Sequence, residues 1–179
     1  MENALVDSIR NLPTFSIEGD LNVIVDTPRH SRNKYKFDEA SGMFALGGVL
    51  PVGYSFPYDF GYIPNTLGGD GDPLDVLVFM DEPAFVGCLV KCRLIGVIKA
   101  EQTEGDTPAE RNDRLLAVAR KSLAFGDVSS LDDLNPKLTD QVEHFFVSYN
   151  HAKGKIFTPL GRFGPDEALR LIREASVTK

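Results

Sequence analysis

The stretch GGDGDPLDVLVF, residues 68–79, packs three carboxylates into six positions between a glycine-rich turn and an apolar run. Asp70, Asp72 and Asp75 repel one another unless positive charge lies among them. The apolar run that follows them has the length of a buried strand. We therefore expect the three aspartates at the mouth of a strand, around a positively charged group.

Short strand-like segments lie on both sides of this stretch, and two segments look helical. Residues 138–150 carry apolar side chains at helical spacing, and residues 165–176 begin with Pro165 followed by two acidic residues. No internal repeat or linker is visible. The sequence thus predicts one mainly β domain over residues 1–179 with helices packed on it. The predicted strands are 21–25, 34–37, 53–63, 75–80, 88–98 and 114–119.

Composition and charge argue against several classes of binding partner. The 179 residues carry a net charge of −7, which argues against nucleic acid or an anionic membrane as the main partner. No segment approaches the roughly 18 apolar residues that cross a bilayer. Residues 1–15 lack the basic and then apolar pattern of a signal peptide. We therefore expect a cytoplasmic protein with a small-molecule substrate.

Closely spaced aspartates occur in several kinds of structure. A solvated turn is the plainest, because Asp, Gly and Pro are common turn residues. A calcium EF-hand would need Gly and Glu where the sequence has Asp75 and Asp81. An aspartyl-phosphate phosphatase would carry its aspartates after the apolar strand, whereas here they precede it. Binding of a hard cation, Mg²⁺ or Mn²⁺, is the alternative that the pattern favours.

Such an ion would serve a reaction at phosphate. It would bridge a polyphosphate to an acidic protein, lower the pKa of a bound water and stabilise the leaving phosphate. One carboxylate that does not coordinate the ion could accept the proton of that water.

The motif DGDPLDVLV resembles the aspartate signature of the soluble family I inorganic pyrophosphatases. The similarity extends to VDTPRHSRNKYKFDEASG, FPYDFGYIPNTLGGDGDP, CRLIGVIKAEQTEG and VEHFFVSYNHAKGK, and covers about residues 20–165. The resemblance implies an OB-like five-stranded β-barrel with flanking helices. It also implies Mg²⁺-dependent hydrolysis of pyrophosphate or a related phosphoanhydride, and a homo-oligomer, hexameric in bacteria.

The resemblance also assigns roles to individual residues. Asp70 and Asp75 would be metal ligands, and Asp72 the general base for the attacking water. Lys34 would bind phosphate, and Tyr149 would hydrogen-bond the product phosphate while its ring packs in the core. Two further positions carry altered residues, namely Asp26 where the family has a metal-site Glu and Arg114 where it has a lysine.

Other positions depart from the family pattern. The two aspartates of its second metal-binding segment fall at Gln102 and Asn112. Asp113 and Glu101 are the nearest carboxylates that could replace them, although this segment could equally be a solvated acidic loop. Four further departures put Lys36 where the family has Glu, Gly48 at or near the position of a phosphate-binding arginine, Phe60 in place of a tyrosine and Asn150 in place of a lysine.

Two classes of function therefore stay open. The first is a divergent Mg²⁺-dependent pyrophosphatase. The second is a catalytically weakened or repurposed relative that binds a phosphorylated ligand or a protein partner. An OB-fold that binds nucleic acid is disfavoured by the negative charge and by the lack of a basic, aromatic stripe.

Overall fold

The computed structural model describes Ile9 and residues 11–177. Within them lie nine strands, a short 3-10 helix (Leu131–Asp133) and two α-helices, α1 (Pro136–Ala152) and α2 (Pro165–Ala175). The expectation that residues 1–15 are not a signal peptide concerns a segment that lies mostly outside the described residues. The strands are β1 (Leu21–Thr27), β2 (Asn33–Asp38), β3 (Met43–Val49), β4 (Asp59–Tyr62), β5 (Asp75–Phe79), β6 (Cys88–Glu104), β7 (Glu110–Arg111), β8 (Arg114–Ala119) and β9 (Lys155–Phe163).

Five strands close into a ring. β1 pairs with β4, β4 with β5, and β5 with β8 in parallel; β8 then pairs with β6, which returns to β1. This ring confirms the predicted OB-like barrel with flanking helices. Closure leaves no free edge between these five strands. β7 and β9 extend the sheet on β6, and β2 and β3 form a separate hairpin.

The barrel strands bury both of their faces, as the apolar runs in the sequence predict. Along β5, Val76 and Val78 belong to one apolar cluster, while Leu77 and Phe79 belong to the other. Helix α1 contributes Val142 and Phe146 to the second cluster, and α2 contributes Ala168 and Ile172 to the first. Alternation along each strand therefore anchors one helix against each face of the sheet.

Helix α2 begins at the predicted residue, and helix α1 begins two residues before the predicted start at residue 138. Asn135 caps α1 by accepting a hydrogen bond from the backbone N–H of Lys137 at 3.0 Å, and Pro136 occupies the first turn. Helix α2 begins at Pro165 after Gly164 and has two acidic residues in its first turn. One of them, Glu167, pairs with Lys99 of β6 and so ties this helix to the barrel.

Several strand predictions need correction. Residues 53–63 do not form one strand, because only Asp59–Tyr62 is extended and paired; Gly53 has φ +89° and Pro57 lacks an N–H. β3, β7 and β9 are missing from the prediction, and β6 continues to Glu104 instead of ending at residue 98. β3 and β9 carry apolar residues on their exposed sides, such as Leu46 and Ile156, so apolar and polar residues do not alternate along their sequences.

Candidate active site

The aspartate loop is a tight turn that leads into β5. The N–H of Gly68 donates to the carbonyl of Asp72 at 2.7 Å, and Gly71 adopts a positive φ of +83° that favours glycine. The N–H of Asp72 donates to Oδ1 of Asp70 at 3.1 Å. The turn thus folds the aspartates together ahead of the strand, and Asp75 is the first residue of β5.

Asp75 forms an ion pair with Arg114. The two residues begin two neighbouring parallel strands, with Val76 of β5 alongside Leu115 of β8. Nη1 of Arg114 lies 2.7 Å from Oδ2 of Asp75, and the arginine side chain is 4% exposed while that of Asp75 is 30% exposed. Burial raises the pKa of Asp75, and the guanidinium of Arg114 opposes the rise.

The two amides that replace carboxylates bind each other. Nδ2 of Asn112 donates to Oε1 of Gln102 at 3.1 Å, and Nη1 of Arg114 donates to Oδ1 of Asn112. Both amide oxygens therefore already accept hydrogen bonds. The amides and the arginine form a continuous network that ends on Asp75.

Two lysines reach the site from the β2–β3 hairpin. Nζ of Lys36 lies 2.8 Å from Oδ1 of Asp72, in a pair whose side chains are 68% and 56% exposed. Nζ of Lys34 lies 5.8 Å from the ring centre of Phe56 and 5.6 Å from that of Phe60. Both rings are buried. Cation–π attraction to them holds the ammonium group beside the carboxylates.

Asp26 approaches from β1. Burial raises its pKa to about 7; the charge of Asp75 adds to the rise, while a hydrogen bond from the hydroxyl of Thr27 at 2.8 Å and the ammonium of Lys34 oppose it. Tyr62 of β4 lies opposite Asp75 of β5. Burial raises the pKa of Tyr62, and the negative charge of Asp26 raises it further.

The two carboxylates suggested as replacements differ in position. Oδ1 of Asp113 accepts hydrogen bonds from the backbone N–H of Ala100 at 2.9 Å and from Nε of Arg111 at 2.6 Å. Asp113 nevertheless lines the same small cavity as Asp70. Glu101 pairs with Arg111 in the β6–β7 register and does not line that cavity. A ligand role for either carboxylate stays a prediction.

Tyr149 packs in the aromatic core. Its ring stacks on that of Phe145 with centres 5.1 Å apart and also contacts Phe56 and Phe146. The neighbouring Asn150, which replaces a lysine of the family pattern, is buried and donates to the carbonyl of Phe146 at 2.7 Å. The ring of Tyr149 therefore packs in the core as expected. The contact of its hydroxyl with phosphate stays a prediction.

A cavity of about 40 Å³ lies between the aspartate loop and Asn112. Asn112 and Gln102 together form what we call the amide wall. It is much smaller than the sites of drug-sized ligands, about 300–1,000 Å³, so a ligand here is small or binds at the open mouth. The cavity is lined by Gly68, Gly69, Asp70, Pro73, Leu74, Asp75, Arg111, Asn112 and Asp113.

The side chains on the aspartate side of the site fit a metal ion, whereas those on the side of Gln102 and Asn112 do not. In this conformation no three acidic, imidazole or thiol groups among the described residues converge to hold an ion. On the aspartate side, carboxylate oxygens suit Mg²⁺, and the exposed Lys36–Asp72 pair is worth only about 0–1 kcal/mol, so an ion could replace the lysine. On the amide side, the oxygens of Gln102 and Asn112 accept hydrogen bonds and carry no charge.

Comparison with known proteins decides the family. A sequence model described as inorganic pyrophosphatase matches residues 23–178. The chain belongs to the inorganic pyrophosphatase family. Its relatives include the inorganic pyrophosphatases of Synechocystis, 38% identical over 93% of this chain and 95% of that protein, and of Nostoc, 36% identical over 93% and 96%.

Solved structures of the family agree with this fold. The pyrophosphatase of Thermus thermophilus superimposes with a TM-score of 0.83 and 29% identity, over 95% of this chain and 97% of that one. The enzyme of Helicobacter pylori gives a TM-score of 0.82 and 30% identity, over 92% and 96%. No described helix is long and apolar enough to cross a membrane.

Sequence reasoning missed two features of this family site. Lys36 stands out in the sequence only as a departure, although its charge is opposite to that of the family's Glu and it forms an ion pair with Asp72. No sequence motif singles out Tyr62. Pairing residues outward from the loop between the antiparallel strands β4 and β5 would have placed it opposite Asp75.

Proposed function

We propose that this protein hydrolyses inorganic pyrophosphate to two phosphates and that it uses Mg²⁺, or Mn²⁺, to do so. The observation that carries the proposal is the parallel β5–β8 register, which brings the signature carboxylate of Asp75 next to Arg114 beside the aspartate loop. Membership of a family whose relatives are named inorganic pyrophosphatase supports the choice of substrate.

Each side chain has a definite task in this reaction. The ammonium of Lys34, held over two aromatic rings, would bind phosphoryl oxygens. Arg114, whose guanidinium contacts Asp75, would add positive charge next to the bound phosphate. Asp72 would accept the proton of the attacking water once Lys36 has moved away. Tyr149 would hydrogen-bond the departing phosphate.

Asp70 and Asp75 would hold the Mg²⁺, and Asp26 would support them from β1. The bound ion supplies positive charge to the substrate and the leaving phosphate, and it acidifies water. Asp26 and Asp75 share a buried region in which one carboxylate raises the pKa of the other, an arrangement that an ion would relieve.

Release of phosphate from pyrophosphate tests this proposal. The purified protein is assayed with Mg²⁺, with Mn²⁺ and with excess chelator, beside the Asp72→Asn variant. We expect metal-dependent release by the wild type and a large loss in the variant. Equal rates in chelator, or no release with either metal, would reject the proposal.

A second candidate function is a weakened relative that binds a phosphorylated ligand. It is favoured by the Gln102–Asn112 hydrogen bond, which stands where the family pattern has two carboxylates. Calorimetric titration with inorganic phosphate in chelator distinguishes the two. Binding without any hydrolysis would favour this candidate.

We also propose a cytoplasmic homo-oligomer, hexameric by resemblance to bacterial members of the family. Large apolar side chains on and after the β2–β3 hairpin support an association surface: Val52 is 85% exposed, Met43 66% and Leu46 60%. Sedimentation analysis tests the assembly, and a monomer at micromolar concentration would reject it.

A further inference from the structure

The aspartates of the site are largely neutralised by side chains of the protein itself. Asp72 pairs with Lys36 and Asp75 pairs with Arg114. The ammonium of Lys34 acts on both Asp26 and Asp75. The carboxylates therefore need less positive charge from bound ions than three aspartates in a row suggest.

Arg114 is held rigidly at the centre of this arrangement. Nη1 contacts Oδ2 of Asp75 at 2.7 Å, donates to Oδ1 of Asn112 and donates to the carbonyl of Asp113 at 3.1 Å. The guanidinium also lies 5.3 Å from the ring centre of Phe146 and 5.4 Å from that of Phe157. These contacts hold the guanidinium between Asp75, Asn112 and two aromatic rings.

The arginine also has unused hydrogen-bonding capacity. Its Nε is buried and has no hydrogen-bond partner among the described residues. The side chain is 4% exposed, so this donor is not satisfied by bulk water. Such an arrangement suits a group whose permanent charge serves the site more than its hydrogen bonds do.

We infer that Arg114 takes the place of a divalent ion: the side of the site formed by Gln102 and Asn112 binds none, and ions bind only on the side of the three aspartates. A cation at the amide wall would have to displace the guanidinium from Asn112 and approach its positive charge closely. It would gain only neutral amide oxygens in return. The inference rests on the proposed function for the identity of the ions.

The number of bound ions tests the inference without any assay of activity. Mn²⁺ binding is counted by equilibrium dialysis and electron paramagnetic resonance, in the absence of substrate. The wild type is compared with the triple variant Gln102→Asp, Asn112→Asp, Arg114→Lys. We expect the triple variant to bind one more Mn²⁺ per chain than the wild type. Equal numbers in the two proteins would overturn the inference.

Single and double variants make the test independent of the folding of the triple variant. Asn112→Asp alone should add no ion, because the new carboxylate pairs with Arg114. Asn112→Asp with Arg114→Lys should add one, because lysine is shorter and lacks the planar fork. An added ion in the single variant, or none in the folded double variant, would overturn the inference.

Arg111 provides the matched control. It lines the cavity next to Asn112 and pairs with Asp113 instead of Asp75. Arg111→Gln removes an equal charge and should leave the number of Mn²⁺ ions unchanged; an added ion would mean that Arg111, not Arg114, excludes it. Since ions are counted without substrate, failure of this inference is distinct from failure to hydrolyse pyrophosphate.

Discussion

Nη1 of Arg114 lies 2.7 Å from Oδ2 of Asp75, and the two residues begin adjacent parallel strands. The pair joins the aspartate loop to the amide wall formed by Gln102 and Asn112. A positive charge next to the aspartates is therefore built into the barrel. How much of the chemistry depends on this charge, and how much on bound metal, can be measured variant by variant.

Asp75→Asn should cost far more activity than Asp81→Asn. Loss of the Asp75 charge removes a metal ligand and leaves the guanidinium of Arg114 without its partner, so we expect activity to fall on the order of a hundredfold or more. Asp81 instead accepts hydrogen bonds from the N–H groups of Leu123 and Ala124 at 2.9 and 2.8 Å. Its variant should lower the melting temperature and leave kcat/KM unchanged. Similar kinetic losses in both would place the site elsewhere.

Lys36→Gln should strengthen binding of Mg²⁺. The lysine neutralises Asp72 beside the ion, and its removal should lower the half-saturating concentration by about threefold to tenfold. Lys91→Gln is the control, because Lys91 forms a similarly exposed pair with Glu18 at 2.9 Å. Calorimetric titration with Mg²⁺ measures both. An unchanged curve for Lys36→Gln would show that the ion does not bind beside Asp72.

Gly48→Arg should improve binding of pyrophosphate. Gly48 lies opposite Lys34 in the β2–β3 hairpin, and a side chain there would meet no atom within 4 Å at its first carbon. An arginine at this position can supply the phosphate contact that the family pattern includes. One added charge-assisted hydrogen bond corresponds to a decrease in KM of about tenfold. Gly48→Gln, of similar length without charge, should not change KM; equal effects of the two would point to packing instead of phosphate binding.

Stability without metal should depend on pH through Asp26. Its pKa is raised by burial to about 7 from a reference value of 3.8, so the folded state holds a proton that the unfolded state has lost between these values. Stability therefore falls as the pH rises from about 4 to about 7, by about 1.4 kcal/mol for each pKa unit at most.

Asp26→Asn should remove that dependence. Its melting temperature in chelator should match the wild type near pH 4 and exceed it at pH 8, because an amide can still accept the hydrogen bond from Thr27. Melting curves across this range measure the difference. A constant offset between the two proteins at all pH values would contradict the raised pKa.

Local patterns in the sequence were sufficient for most of the fold. The apolar runs of β1, β5 and β8, and residues 95–98 of β6, are buried on both faces, which is why they stand out in the sequence and why they form the barrel wall. The helix signals, apolar spacing over residues 138–150 and Pro165 at the start of α2, are equally local. β3 and β9 escaped prediction because their pairing, not their side-chain pattern, makes them strands.

The sequence by itself determined the family, the closed barrel and the cluster of three aspartates. Only the tertiary structure decided which positive groups meet them. The Asp75–Arg114 pair depends on the parallel register of β5 and β8, and the Asp72–Lys36 pair depends on how the β2–β3 hairpin lies over the loop. Ion pairs between distant segments follow from strand register and sheet closure, and spacing along the chain does not encode either.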